Sequence, residues 1–146
     1  MAFEIEHKYL VKDNSYREMA ESSSEIRQGY LCKEPARTVR VRVRDDKGFL
    51  TVKGITVGDT RHEYEYEIPL KDALEMLAMC LPPILEKKRY IVRYDDALWE
   101  IDEFHGVREG LVVAEIELPE SGKNYRIPPF VGEDVTGNPA YYNSNL

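Results

Sequence analysis

Charged and apolar residues alternate with a period of two in five separate segments of this chain. In the first segment, Glu4, Glu6 and Lys8 fall on one side of an extended chain. Ile5 and Tyr9 fall on the other side. The same alternation returns at residues 40–44, 61–67, 87–90 and 114–118. Strict alternation of this kind predicts β-strands, so each of these strands has one charged face and one apolar face.

Turn residues between these segments predict eight strands with mostly short connections. We place the strands at residues 3–11, 26–32, 38–44, 49–53, 62–68, 85–94, 98–104 and 111–118. A short helix is predicted to begin at residue 14 or 15 and to end at residue 20. An amphipathic helix is predicted at residues 69–81, where leucines recur every three or four positions before Pro82 and Pro83 end it. A short terminal helix is predicted within residues 134–146.

The charge and composition exclude several classes of protein. The chain has 146 residues, a net charge of −7 and a pI near 5.1, whereas nucleic-acid binding draws on a basic surface. No apolar run approaches the roughly 18 residues of a membrane helix, and the N-terminus lacks a signal-peptide pattern. We expect a cytoplasmic protein with no nucleic-acid or membrane partner. Cys32 and Cys80 are expected to be reduced and structural, since they lack metal-site spacing.

The charged faces of the strands have two possible orientations. If they face solvent, the apolar faces form an ordinary core, which is the commoner arrangement for a single strand. Two observations favour the opposite arrangement. The amphipathic helix needs an apolar surface outside the sheet, and the charges are sorted by strand, with acids at both ends of the chain and bases between. Because about eight strands can enclose a small ligand, we predict one domain, residues 1–146, of the α+β class: an eight-stranded antiparallel closed barrel with a charged lumen and a few flanking helices.

Such a lumen brings acidic and basic side chains together. The acidic positions are Glu4, Glu6, Glu63, Glu65, Asp102, Glu115 and Glu117, and the basic positions are Lys8, Arg40, Arg42, Lys53, Lys87 and Arg89. Crowded carboxylates repel one another unless a cation lies among them. Carboxylates without His or Cys favour Mg²⁺ or Mn²⁺, and the Arg and Lys side chains favour phosphate oxygens. Together these groups predict a metal-dependent phosphoryl-transfer site.

A series of short motifs occurs in order along nearly the whole chain. They are Glu4-x-Glu6-x-Lys8, Gln28-Gly29-Tyr30-Leu31, Thr38-Val39-Arg40-Val41-Arg42, Leu50-Thr51-Val52-Lys53-Gly54, Glu63-x-Glu65-x-Glu67-Ile68, Lys87-x-Arg89-Tyr90, Trp99-Glu100-Ile101-Asp102-Glu103-Phe104, Ala114-Glu115-Ile116-Glu117-Leu118 and Val135-Thr136-Gly137 through Asn143. A single motif of this kind is weak, but the ordered set is specific. It resembles the CYTH superfamily of triphosphate tunnel metalloenzymes.

The resemblance implies an eight-stranded tunnel that hydrolyses the terminal phosphoanhydride of a triphosphate. By position, the divalent ions would be held by Glu4, Glu6, Asp102, Glu115 and Glu117, with Glu63 and Glu65 supporting them. The phosphates would be bound by Lys8, Arg40, Arg42, Lys53, Lys87 and Arg89. Within these sets we expect Lys8, Lys87, Glu6 and Glu117 to be catalytic.

Inorganic tripolyphosphate is the expected substrate, because no base-recognition element is evident in the loops. The alternatives are a class IV adenylate cyclase, a nucleoside or thiamine triphosphatase, and a polyphosphate- or nucleotide-binding module without catalysis. The acidic positions count against the last alternative, since a pure anion binder has no use for carboxylates facing its ligand. The sequence leaves open the choice between Mg²⁺ and Mn²⁺ and the choice between a monomer and a homodimer.

Overall fold

Eight antiparallel strands close into a barrel, and a short ninth strand extends one side of it. The computed structural model describes residues 2–146. The strands are β1 (Phe3–Val11), β2 (Ser22–Cys32), β3 (Arg37–Arg44), β4 (Lys47–Gly54), β5 (Thr60–Ile68), β6 (Leu81–Tyr94), β7 (Ala97–His105), β8 (Val112–Glu117) and β9 (Val131–Asp134). They neighbour one another in the order β5-β4-β3-β2-β6-β7-β8-β1-β9, and pairing of residues 3–5 with residues 60–62 closes the barrel. The predicted α+β barrel is confirmed.

The charged faces point into the barrel and the apolar faces point outward. Arg40 and Arg42 are buried and alternate along β3 with valines, and Lys87 of β6 is buried between Glu86 and Lys88. The main apolar core lies against the outer wall, where Trp99 and Ile116 pack with Phe130 from the segment after β8. This confirms the inward orientation of the charges. None of the described helices is long and apolar enough to span a membrane.

Two short α-helices cover parts of the outer wall. They are α1 (Tyr16–Met19) and α2 (Leu70–Leu77). Ala73 and Leu77 of α2 pack on Val41 and Val43 of β3, as expected for an amphipathic helix outside the sheet. The predicted end of this helix at residue 81 was wrong. Strand β6 instead begins at Leu81. Pro82 and Pro83 are its second and third residues, and proline is tolerated near the start of a strand.

The predicted terminal helix was also wrong. Residues 131–134 form β9 beside β1, and two 3-10 turns follow, Pro139–Tyr141 and Asn143–Asn145. A left-handed Gly137 (φ 77°) and Pro139 interrupt any longer helix. The backbone N–H of Val135 donates to the carbonyl of Lys8 (2.9 Å), which holds this segment against the barrel. The C-terminal segment therefore contributes to the lumen rather than packing as a helix.

Candidate active site

A charged cavity of about 210 Å³ lies within the barrel. Twelve of the thirteen predicted lumen residues line it: Glu4, Glu6, Lys8, Arg40, Arg42, Lys53, Glu63, Glu65, Lys87, Arg89, Glu115 and Glu117. The thirteenth, Asp102, lies behind this surface. Strand alternation therefore brings together acids and bases that are as much as 113 positions apart in sequence, from Glu4 to Glu117.

Two acidic side chains face each other across β1 and β8. Glu6 and Glu117 are directly paired in the strand register, and Lys8 pairs with Glu115 two positions further along. Like charges at directly opposed positions repel. Burial, together with Glu115 and Glu4, raises the pKa of Glu6 well above its ordinary value. Within residues 2–146, no cationic side chain forms an ion pair with Glu6 or Glu117.

The chemistry of this acidic region fits a hard divalent cation. Across the described residues, no three acidic, His or Cys side chains are already arranged as a metal cage. Mg²⁺ does not require one, because it retains several waters and uses one or two carboxylates together with substrate phosphates. Glu6 and Glu117 provide two carboxylates without cationic partners, and burial, followed by Glu4 and Glu100, also raises the pKa of Glu117. A divalent ion would relieve this repulsion.

Carboxylates orient three of the basic side chains at the cavity wall. Lys53 Nζ lies 3.0 Å from Glu4 and 3.3 Å from Glu63, and Lys8 Nζ lies 3.5 Å from Glu115. Burial alone would lower the pKa of Lys8, but Glu115 and Glu6 raise it. Lys8 therefore stays protonated. Arg40 is held in the same way, 3.2 Å from Glu65 and 3.1 Å from the Thr51 hydroxyl.

The structure does not support the prediction that Asp102 binds metal. Its side chain is inaccessible to solvent. Its Oδ2 accepts hydrogen bonds from Lys87 Nζ (2.7 Å) and Arg89 Nη2 (2.9 Å), and its Oδ1 accepts one from Arg89 Nε (2.8 Å). Burial alone would raise the pKa of Asp102, but Arg89 and Lys87 hold it well below its ordinary value. Asp102 is thus a buried anion that positions two cations.

The deepest cations repel one another, and the protein neutralises them only in part. Burial, together with Arg40 and Arg89, lowers the pKa of Arg42 to about 9. Burial also lowers the pKa of Lys87 to about 7, and Arg89 and Arg42 add to this effect. The Nε atom of Arg40 is buried without a hydrogen-bond partner in the described residues. Excess positive charge and a free donor are the features that a polyanion would satisfy.

Several polar groups that hold the lumen cations were not predicted from the sequence as site residues. Gln28 Oε1 accepts from Arg42 Nε (2.9 Å), and Asn143 Oδ1 accepts from both Gln28 Nε2 and Lys87 Nζ (3.0 Å each). The carbonyl of Tyr141 accepts from Lys8 Nζ (2.9 Å). Gln28 lies on the same face as predicted lumen residues and could have been found by its register. Asn143 follows no periodic pattern; the motif that runs from Val135 to Asn143 marked its position, but not its contact with Lys87.

Comparison with known proteins assigns the fold and the motifs to one family. The CYTH domain model matches residues 2–143. The chain belongs to the CYTH family. An inorganic triphosphatase of Acetivibrio thermocellus is 48% identical to this CYTH protein over 147 aligned residues, which cover 100% of the chain and 94% of the relative. An inorganic triphosphatase of Nitrosomonas europaea is 31% identical, covering 98% of the chain and 95% of the relative.

A solved structure supports the same assignment. The crystal structure of an inorganic triphosphatase superimposes on the CYTH protein with a TM-score of 0.69 and 28% sequence identity. The match covers 97% of this chain and 94% of that structure. Because the agreement extends over the whole barrel, it includes every strand that contributes a lumen side chain.

Proposed function

We propose that this CYTH protein is a divalent-metal-dependent triphosphatase that hydrolyses the terminal phosphoanhydride of inorganic tripolyphosphate. The observation that carries the proposal is one cavity in which partly neutralised cations face Glu6 and Glu117, two carboxylates that have no cationic partner among the described residues. The full-length similarity to two inorganic triphosphatases supports the same reaction. A cytoplasmic location, with Mg²⁺ or Mn²⁺ as the cofactor, is part of this proposal.

The acidic side of the cavity would hold the cofactor. Glu6 and Glu117 would be its direct ligands, while Glu4 and Glu115 lie beside them and orient Lys53 and Lys8. When bound, the ion supplies a water of lowered pKa and a positive charge close to the phosphates. Glu6 and Glu117, on the acidic side, would also orient the attacking water.

The basic side of the cavity would bind and stabilise the triphosphate. Charge spreads over the phosphoryl oxygens in the transition state, and fixed cations stabilise it without having to reorient. Lys8 and Arg40 are held by carboxylates, and Asp102 holds Lys87 and Arg89. The positions of the cations are therefore set before substrate enters.

The lining of the cavity favours tripolyphosphate over a nucleotide. Among the described lining residues, those with substantial apolar surface are Tyr30, Val135 and Tyr142. A nucleobase needs an apolar or aromatic surface and positioned polar groups for recognition. Nearly all the remaining lining is charged or polar, which suits a small polyanion.

The reaction can be tested with a panel of substrates. Purified protein is incubated with tripolyphosphate, ATP or thiamine triphosphate in Mg²⁺ and in Mn²⁺, and the products are separated. We expect orthophosphate release with the highest kcat/KM for tripolyphosphate. Cyclic AMP and pyrophosphate from ATP would instead show a cyclase. Binding of tripolyphosphate without turnover in either metal would show a binding module, and each of these two results would overturn the proposal.

Replacing Lys8 with alanine should remove most of the activity while leaving the protein folded. Lys8 lines the cavity and stays protonated, so its loss removes a fixed positive charge near the substrate. We expect kcat/KM to fall about 10²–10³-fold. Lys88→Ala is the matched control, because Lys88 Nζ lies over the Tyr90 ring on the outer wall (5.2 Å). Comparable activity of both variants, with unchanged circular dichroism, would contradict the role of Lys8.

A further inference from the structure

A hydrogen-bonded chain on the outer face of β1 passes through His7. The ring of His7 lies between two lumen residues in sequence, Glu6 and Lys8, but on the opposite face of the strand. Its Nε2 lies 2.9 Å from Asp59 Oδ2, and its Nδ1 lies 2.5 Å from the hydroxyl of Tyr125. The hydroxyls of Tyr125 and Tyr9 are also 2.5 Å apart. Both ring nitrogens of His7 are therefore engaged.

The carboxylate of Asp59 determines which group donates and which accepts in each hydrogen bond of this chain. The hydrogen bond from His7 lowers the pKa of Asp59, so its carboxylate acts as an acceptor. His7 Nε2–H then donates to Asp59, and in the neutral ring Nδ1 accepts from the Tyr125 hydroxyl. Tyr125 in turn accepts from Tyr9. The other carboxylate oxygen of Asp59 accepts from Ser121 (3.0 Å) and Thr60 (3.1 Å).

Asp59 belongs to a tight turn at the edge of the active-site cavity. The backbones of Val57 and Thr60 exchange two hydrogen bonds (2.8 and 3.1 Å), and Gly58 between them has a left-handed φ of 64°. Gly58 and Asp59 both line the cavity. The carbonyl of Asp59 accepts from the backbone N–H of Glu6 (3.2 Å). The turn thus contacts the residue that we assign to the metal.

Apolar packing does little to hold this turn. Val57 is 73% exposed and Ile55 is 59% exposed. Segments with few buried apolar contacts open locally at low cost unless polar contacts hold them. The side-chain bond from His7 to Asp59 and the backbone bond from Glu6 join the turn to β1 at adjacent residues.

We propose that His7 is a positioning residue, which holds the turn at residues 57–60 against β1 through Asp59 and so fixes Glu6 and the cavity edge for metal and triphosphate binding. This inference rests on the proposed function and deepens it. The ring of His7 does not face the lumen and takes no part in the chemical step. Its loss should therefore weaken binding more than it slows turnover.

Two substitutions separate the Asp59 contact from the Tyr125 contact. The amide nitrogen of Gln reaches the position of the His Nε2 atom, whereas Asn is shorter and ends near the Nδ1 position. In His7→Asn we expect the KM for tripolyphosphate and the Mg²⁺ concentration for half-maximal activity to rise about tenfold, a difference of about 1.4 kcal/mol, with kcat within about threefold. His7→Gln should restore both values to within about threefold of the wild type.

A second readout does not depend on activity. Hydrogen exchange of residues 55–60 should accelerate about tenfold in His7→Asn, because the turn opens more often, and should be near the wild-type rate in His7→Gln. Trp99, the one tryptophan of the chain, lies 5.7 Å from the rings of both Tyr9 and Tyr125. Its fluorescence therefore reports whether the hydroxyl chain has been disturbed.

His62→Asn is the matched control. His62 also lies on the outer wall, where its ring lies 4.4 Å from the ring of Phe3 and is stacked with that of Tyr64, but none of its described contacts reaches the turn. Equal KM, metal requirement and exchange rates in His7→Asn and His62→Asn would overturn the proposal, as would a lower melting temperature with no change in KM. If His7→Asn does not fold, Ser121→Ala should show a smaller change in the same direction, and its absence would also overturn the proposal. A wild-type protein without turnover would defeat the proposed function alone, since the exchange comparison would still test the role of His7.

Discussion

A Glu6→Gln variant is expected to be nearly inactive and yet more stable than the wild type when no divalent ion is present. The folded protein raises the pKa of Glu6 through burial and through Glu115 and Glu4, so the fold penalises the ionised form. This penalty is fully present above the folded pKa and disappears below the unfolded value. Gln keeps the shape of the side chain and removes the charge. It also removes a proposed metal ligand, and we expect activity to fall about 10²–10³-fold.

The stability difference should depend on pH and on metal. Removing the repulsion between two directly opposed like charges typically raises the free energy of unfolding by about 0.2–1 kcal/mol. For a chain of this length this corresponds to an increase of at most about 2–4 °C in melting temperature. We expect this gain at about pH 8 without metal and no difference at about pH 4. Added Mg²⁺ should raise the melting temperature of the wild type more than that of the variant, because ligands stabilise the state that binds them.

Glu67→Gln provides the control for Glu6→Gln. Glu67 also lies on a charged strand face, but it is exposed near the end of β5 and does not line the cavity. Its substitution should leave both the activity and the metal response unchanged. A Glu6→Gln variant that keeps more than about a tenth of the wild-type activity would contradict the metal assignment. So would a variant that is less stable than the wild type at about pH 8 without metal.

The lumen could be predicted from the sequence because strand alternation leaves only two choices. Once Glu4 is placed inside, Glu6 and Lys8 must follow, and the same applies to Arg40 and Arg42 on β3. Two further observations decided which face of each strand points inward. The amphipathic helix needs an apolar surface outside the sheet, and the acidic and basic residues are sorted by strand. Residue types and period were therefore sufficient to identify twelve of the charged side chains that line the cavity. Other charged lining residues, among them Arg44, Arg61 and Glu100, were not predicted.

The partners of those side chains could not be predicted in the same way. Whether Asp102 faces a metal or a cation depends on the register between β6 and β7, in which Arg89 lies directly opposite Asp102. The length of the turn sets that register, and the predicted strands, 85–94 and 98–104, leave three residues between them where the structure has two. The contact from Asn143 to Lys87 depends on the path of an irregular C-terminal segment, which hydrophobic periodicity does not describe.

The boundaries of helices and strands were harder to predict, because a local sequence pattern can fit both a helix and a strand. Leucines at helical spacing continue past Leu77 to Leu81, so the pattern alone extends the helix. In the folded chain, Leu81 is paired with Tyr30 of β2. Long-range pairing therefore overrides local helical preference at this position.

Asp102→Asn is expected to be the most destabilising of the substitutions considered for the lumen. Asp102 is fully buried and is the shared anion for Lys87 and Arg89. Asn keeps the shape but leaves Lys87 without a carboxylate partner and Arg89 with only the partly exposed Glu100. Breaking a buried ion pair in this way typically costs about 3–5 kcal/mol, or about 6–20 °C in melting temperature at this chain length.

Glu100→Gln is the control that shows how much of the loss of stability in Asp102→Asn depends on the burial of the carboxylate. Glu100 is the other carboxylate partner of Arg89 (3.1 Å), but its side chain is 38% exposed, so its loss should cost about 0–1 kcal/mol. Because the fold lowers the pKa of Asp102, its stabilising contribution is present above the unfolded value of 3.8 and is lost only as pH falls through the folded pKa. At about pH 5, where Lys87 is protonated, denaturant unfolding should therefore show a larger deficit for Asp102→Asn than for Glu100→Gln. The difference should narrow towards about pH 8, because burial lowers the pKa of Lys87 to about 7. Equal stabilities for the two variants would mean that Asp102 is not the buried counter-ion, and its assignment as a metal ligand would then have to be reconsidered.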